Sequence, residues 1–186
     1  MLSVIIATDN SERLLVRTLT ALVPGAVEGL VSEVLIADGG SNDETAAVAD
    51  VAGCDFLLLD GSLADRLSGA AGSARGPWLL FLRPGTVLDP GWTAEARRFI
   101  EQSEAPPRAA VFRRGTSAQP GLREILSLLL ATLVSRPRPE QGLLIERDFY
   151  LALGGHRGDA DPETALIRRI GRRRLATLAS AAWSRG

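Results

Sequence analysis

The chain has 186 residues, 46% of them hydrophobic, which suits one well-buried core and is short for two. Its formal net charge of −1 gives no electrostatic reason to expect a nucleic acid or other polyanion as partner, and every basic side chain apart from one histidine is arginine, with no lysine. Cys54 is the only cysteine, which excludes an internal disulfide and points to a reducing compartment, with the thiol expected in the core.

The first half alternates apolar runs with helical stretches, the pattern of βα units on a parallel sheet. "MLSVIIATDN" has no positively charged lead, and its apolar run is too short for a signal peptide or a spanning helix. Leu2 to Ala7 therefore reads as a first strand and the protein as cytoplasmic. Leu15, Leu19 and Leu22 recur at helical spacing, and "EVLIAD" is a second strand ending at Asp38. Ser41 and Glu44 have the spacing of a capping box, which predicts a helix from Asn42 with Asp43 as a first-turn acid and puts Asp38 at the loop before it. "CDFLLLD" is a third strand; Ser62 and Asp65 form a second capping box ahead of a small-residue helix, and "PWLLFL" is a fourth strand. Parallel pairing would put all four C-terminal strand ends on one edge, where open α/β sheets bind ligands.

The second half is less regular. In "DPGWTAEARRFIEQ" Asp89 caps a helix with Pro90 near its first turn, and "RAAVFRRG" is a strand. "PGLREILSLLLATLVS" is an apolar helix too short to cross a bilayer. "QGLLIERDFYLALGG" gives strand, short helix and glycine stop, and "PETALIRRIGRRR" a last amphipathic helix. The glycines of "SGAAGSARG" lack the spacing of a dinucleotide fingerprint and suit close helix packing instead.

"LSVIIATDNSE", "VLIADGGSNDET", "ARGPWLLFLRPGTVLDPGW" and "EQGLLIERDFYLALGGH", in that order and spacing, resemble the family 2 glycosyltransferases, especially a compact bacterial branch. The resemblance implies a single GT-A domain over 1–186: a Rossmann-like, mostly parallel central sheet with helices on both faces. Residues 1–88 would form a nucleotide-binding half and 89–186 an acceptor half. It also implies a nucleotide-diphospho-sugar donor, a glycan or lipid-linked acceptor and inverting transfer. Thr8, Asp38 and Arg66 would touch the nucleotide; Asp38 as an acceptor-only carboxylate suits base or ribose donors, and otherwise organises the "DGGS" turn. Glu140, Gln141 and His156 would border the acceptor, His156 alternatively having a surface or packing role.

Two departures bear on chemistry. The family's Asp-x-Asp motif, which holds Mg²⁺ or Mn²⁺ against the diphosphate, falls on Arg83, Pro84, Gly85 and Thr86, so its carboxylates are missing and no metal ligand is expected. The family's acidic pair, source of the catalytic base, falls on Pro162 and Glu163. Glu163 is the candidate base, with Asp161 and Asp159 as competitors; equally, Asp161 caps the last helix and Glu163 is a favourable first-turn acid.

Two functions follow. The first is a metal-independent transferase in which the Arg83 guanidinium takes the cation's place on the leaving diphosphate. The second is a degenerate member that binds a nucleotide sugar or regulates a partner without transfer. The arginines of "RRIGRRR", with the apolar helix near Ile125 to Val134, offer peripheral contact with the inner membrane face, or else a solvated helix end and a core or homodimer helix.

Overall fold

The computed structural model describes residues 1–102, 109–115, 137–158 and 160–184. The helix expected near 120–135 and Asp159 lie outside the described residues. Three βα units and a fourth strand come first: β1 (Leu2–Thr8), α1 (Glu12–Val27), β2 (Val31–Asp38), α2 (Thr45–Val51), β3 (Asp55–Leu58), α3 (Leu63–Ser73) and β4 (Trp78–Leu82). Then follow β5 (Thr86–Leu88), α4 (Trp92–Glu101), β6 (Ala109–Arg114), a single 3-10 turn (Pro139–Gln141), β7 (Leu143–Glu146), α5 (Arg147–Ala152), α6 (Pro162–Ile170) and β8 (Leu175–Ser184).

The eight strands form one sheet in the order β3-β2-β1-β4-β7-β6-β8-β5. β1 pairs parallel with β2 and β4, and β3 with β2, so the first four C-terminal ends share an edge as expected. β7 runs antiparallel between β4 and β6, and β8 lies parallel to β6. Strands covered on both faces need apolar side chains at odd and even positions alike. β1 shows this: Val4 and Ile6 face a core with Leu15, Leu22 and Trp92 of α1 and α4, whereas Ile5 faces Leu67, Ala70, Phe149 and Leu166 of α3, α5 and α6.

Local chemistry explains several boundaries. Ser62 and Asp65 form the expected capping box on α3. The box expected at Ser41 and Glu44 does not form: α2 begins at Thr45, and the Asp43 carboxylate accepts from the Thr45 backbone N-H. Ser41 is drawn instead into the Asp38 turn, where its hydroxyl donates to that carboxylate. α4 starts at Trp92, because Asp89 closes a turn onto the Gly91 N-H rather than capping the helix directly. Gly25 lets α4 pack against α1, since a Cβ there would stand 2.7 Å from the buried Trp92 ring and 2.9 Å from Val31. Neither β5 nor β8 was expected from the sequence.

Candidate active site

At the shared edge, the loops after β1 and β2 are stitched together. Asn10, in the left-handed region at φ 48°, donates its N-H to Ser41 Oγ (2.8 Å) and accepts from the Asn42 N-H (2.9 Å). Ser11 N-H donates to Thr45 Oγ1 and Glu12 N-H to Asp43, so α1 and α2 start from one connected turn. Inside it, the buried Asp38 accepts from Thr8 Oγ1 (2.7 Å), Ser41 Oγ (2.6 Å) and the Gly40 and Ser41 N-H groups (2.8 and 2.7 Å). Burial alone would raise the Asp38 carboxyl, but the Ser41 and Thr8 hydroxyls and the two N-H groups hold it below its ordinary range. Its four bonds are those of a turn organiser, and Thr8 is its partner.

A cleft of about 310 Å³ opens beside this turn. It is lined by Thr8 at the end of β1, Asp9 and Ser11 after it, Arg66 of α3, Arg83 just after β4, and Glu163 of α6. The sequence reading missed Asp9 and Ser11; their position directly after the first strand was the available signal. Arg66 lies across the backbone of Gly39, where a Cβ would sit 2.4 Å from its Nη1, and donates to the Thr8 carbonyl at 2.6 Å.

"RPGT" forms a turn closed by Thr86 N-H donating to the Arg83 carbonyl at 3.1 Å, with Gly85 at φ 87°. Proline second and a positive-φ glycine third are the chemistry of a type II turn. The turn presents Arg83 to the cleft, where Nε and Nη2 both donate to Glu163 Oε2 and Nη1 donates to Glu140 Oε1 at 2.9 Å. Three separate segments, the β4 end, the 3-10 turn and the start of α6, therefore meet in one ion triad. Glu163, itself buried, lines the cleft. Burial pushes the Glu163 carboxyl up; Arg83 pulls it back, and the Asp161 and Glu140 charges push it up again, leaving it above the ordinary range.

The other expected residues divide. Asp161 caps α6, its Oδ1 accepting from the Thr164 N-H at 3.2 Å, with Pro162 as the first helical residue. Gln141 spends both ends of its amide on backbone, donating to the Phe112 carbonyl and accepting from the Arg138 N-H. His156 is buried, 3.0 Å from the Tyr150 hydroxyl through Nδ1, and edge-on to Phe81; a surface role is thus corrected to packing behind a cleft residue. Burial, then the Arg169 charge, lowers its pKa to about 3. Within "RRIGRRR", Arg169 donates to the Leu153 and Gly155 carbonyls and Arg174 lies over the Phe149 ring. Arg174 also accepts from the first residue of β6, so this arginine turn stands at the sheet edge opposite the cleft.

A hard divalent cation needs several oxygen ligands at roughly 2.0 to 2.6 Å, usually including a carboxylate. At the position of the family's metal motif the first residue is a guanidinium, Pro84 and Gly85 have no side-chain donor, and Thr86 Oγ1 is buried without a partner. The Glu140 and Glu163 carboxylates are tied to Arg83. These residues do not fit such a cation, and no group of three or more His, Cys, Asp and Glu side chains among the described residues is placed to hold a metal.

The sheet order, the helices on both faces and the cleft at the C-terminal strand ends define a GT-A fold. The chain belongs to glycosyl transferase family 2, whose family model matches residues 3–169. Solved structures share the fold. Glucosyl-3-phosphoglycerate synthase from Mycobacterium tuberculosis, in complex with Mn²⁺, UDP and glucosyl-3-phosphoglycerate, matches with a TM-score of 0.73 at 16% identity, over 100% of this chain and 72% of that one. The same enzyme with phosphoglyceric acid gives 0.74 at 16% identity, again over 100% and 72%. S. aureus TarS 1-349 gives 0.72 at 16% identity, over 98% of this chain and 60% of that one. A comparison with curated proteins finds no match.

Proposed function

We propose that this chain transfers a sugar from a nucleotide-diphospho-sugar to an acceptor hydroxyl, with Arg83 in place of a divalent cation. The observation that carries the reading is the guanidinium at the end of β4, facing the cleft and 2.9 Å or less from two carboxylates. The turn organised by Thr8 and Asp38, with Arg66 beside it, would receive the nucleotide within the first half of the chain; Glu140 and Gln141 would border the acceptor in the second. As the acceptor oxygen attacks the anomeric carbon, its proton passes to the Glu163 carboxylate. The bond from that carbon to the diphosphate oxygen breaks, and the leaving charge falls to guanidinium. Burial suits Glu163 to this work, because a carboxyl shifted towards the working pH is the better base.

Glucosyl-3-phosphoglycerate synthase is seen with UDP and Mn²⁺ or Mg²⁺, and with phosphoglyceric acid, so a small anionic acceptor is one candidate class here. A lipid-linked acceptor would not be presented by the arginine turn after α6, which stands at the opposite edge. No described helix is long and apolar enough to cross a membrane.

One observation favours the second reading, a nucleotide-sugar-binding or regulatory module without transfer. Glu140 and Glu163 against Arg83 give the triad a formal charge of −1, so the cation offered to a diphosphate is already matched. Thermal unfolding with UDP, GDP, dTDP and their sugars, each with Mn²⁺ or EDTA, tests both readings. A ligand at a hundred times its Kd adds about 2.7 kcal/mol, roughly 5 to 10 °C for a domain of this size. Equal stabilisation in EDTA supports the metal-free transferase, and turnover in EDTA with any of these sugars removes the module reading. Stabilisation without turnover leaves the module, and no stabilisation under either condition overturns both.

A further inference from the structure

We propose that the Arg83–Glu163 ion pair is a latch which the donor's diphosphate opens, so that donor binding and release of the base are one event. The inference rests on the transferase reading above and adds how its site is switched. Three of the five N-H donors of Arg83 are bound to carboxylates, two of them to a single oxygen of Glu163. A diphosphate brings further negative charge to a triad already at −1. Guanidinium forms forked bonds with phosphate as readily as with carboxylate, so the incoming group competes for the same edge.

The two carboxylates are unequal competitors. Glu140 has a side chain 43% exposed and, when released, finds water; the Glu163 side chain is 12% exposed and does not. Displacing Glu163 therefore leaves a carboxylate in a poorly solvated wall of the cleft, facing Glu140 and Asp161 as like charges, with Arg66 and Asp9 the remaining charged groups lining the space. Such a group regains stability by taking a proton, whether from the acceptor hydroxyl or, when the acceptor is missing, from solvent. Before the donor arrives, the same carboxylate is held by Arg83 and has less affinity for a proton. The base is thus weaker in the empty site than in the loaded one.

The consequence is measurable with the donor alone, before any acceptor is added. Binding of UDP-glucose or another nucleotide-diphospho-sugar in EDTA, whose doubly esterified diphosphate does not titrate near pH 6 as a terminal phosphate does, followed by calorimetry at about pH 6 in two buffers of different ionisation enthalpy, should show net proton uptake by the unaltered protein. Glu163→Gln removes the competitor: it should bind nucleotide about tenfold tighter or more, the scale of a charge-assisted hydrogen bond, and take up no proton. Glu140→Gln should keep the uptake. Binding without uptake, or unchanged or weaker binding by Glu163→Gln, overturns the latch while leaving the transferase reading intact. No binding by any nucleotide overturns the transferase reading and the latch with it. The measurement on the unaltered chain requires no variant to fold.

Discussion

Removing Arg83 gives the most direct check on the triad. In Arg83→Ala the Glu163 carboxylate keeps its buried position and loses both of its hydrogen bonds from the described residues. Breaking a fully buried pair from one side costs about 3 to 5 kcal/mol. Here the Arg83 side chain is 37% exposed, and solvent screens part of that, so about 1 to 2 kcal/mol is the reasoned cost near pH 8. That is a drop of roughly 2 to 8 °C in Tm for a chain of this length. The sign of its pH dependence follows from the carboxyl's upward shift. Stability from a raised carboxyl is fully present below its unfolded value, near 4.5, and is lost as pH rises through the folded value. Losing Arg83 removes the main influence pulling the carboxyl down, so the folded value climbs further and the loss reaches higher pH. Melting curves at pH 5 and pH 8 should therefore show a larger deficit at pH 8, and Arg83→Ala combined with Glu163→Gln should recover most of it. A deficit equal at both pH values, or one that the double variant leaves untouched, would refute the coupling.

Three further outcomes are expected. His156 is lowered to about 3, so stability should rise by up to about 1.4 kcal/mol per pH unit between that value and its unfolded value near 6.5; His156→Phe should flatten that slope in a Tm series. Asp38→Asn should cost about 2 to 3 kcal/mol by denaturant unfolding, since one carbonyl cannot replace two oxygens taking four bonds. Because the Asp38 carboxyl is held low, its contribution is present above pH 4 and fades as pH falls through the folded value, so variant and parent should converge in acid. Gly25→Ala should cost about 1 to 3 kcal/mol through overpacking against Trp92, with a change in tryptophan emission, and Trp92→Phe in the same chain should relieve part of it.

The parallel half of the fold was legible because its strands are covered on both faces and so run as unbroken apolar stretches. β8 was not: "LATLASAAWS" is rich in alanine and lacks the β-branched density that marks a strand. It becomes one by lying beside β6, with a register shift between Phe112 and Arg113 that no local pattern announces. β5 is only three residues long. At the site, the resemblance brought Thr8, Arg66, Arg83, Glu140 and Glu163 to one sheet edge, and the structure keeps them there. It could not say that Arg83 spends its donors on Glu140 and Glu163, because those partners lie 57 and 80 residues away in sequence. The capping box at Ser41 failed for a similar reason. Its hydroxyl had a better acceptor in Asp38, a competitor that spacing alone does not weigh.

The two guanidinium groups of the cleft are not equivalent, and the difference bears on how a donor would bind. Arg83 is matched by carboxylates on two sides. Arg66 donates Nη1 to a neutral carbonyl, makes no ion pair among the described residues, and has a buried Nε without a partner. On the proposed transferase reading, an incoming diphosphate would find positive charge at Arg66 that no carboxylate among the described residues matches. Contact there costs no ion pair, whereas contact at Arg83 must displace one. On that reading nucleotide affinity should depend on Arg66 as well as on Arg83, and only Arg83 holds Glu163. On the proposed latch, the guanidinium of Arg66 would help draw the donor in, and the exchange at Arg83 that completes binding would release Glu163 in the same event.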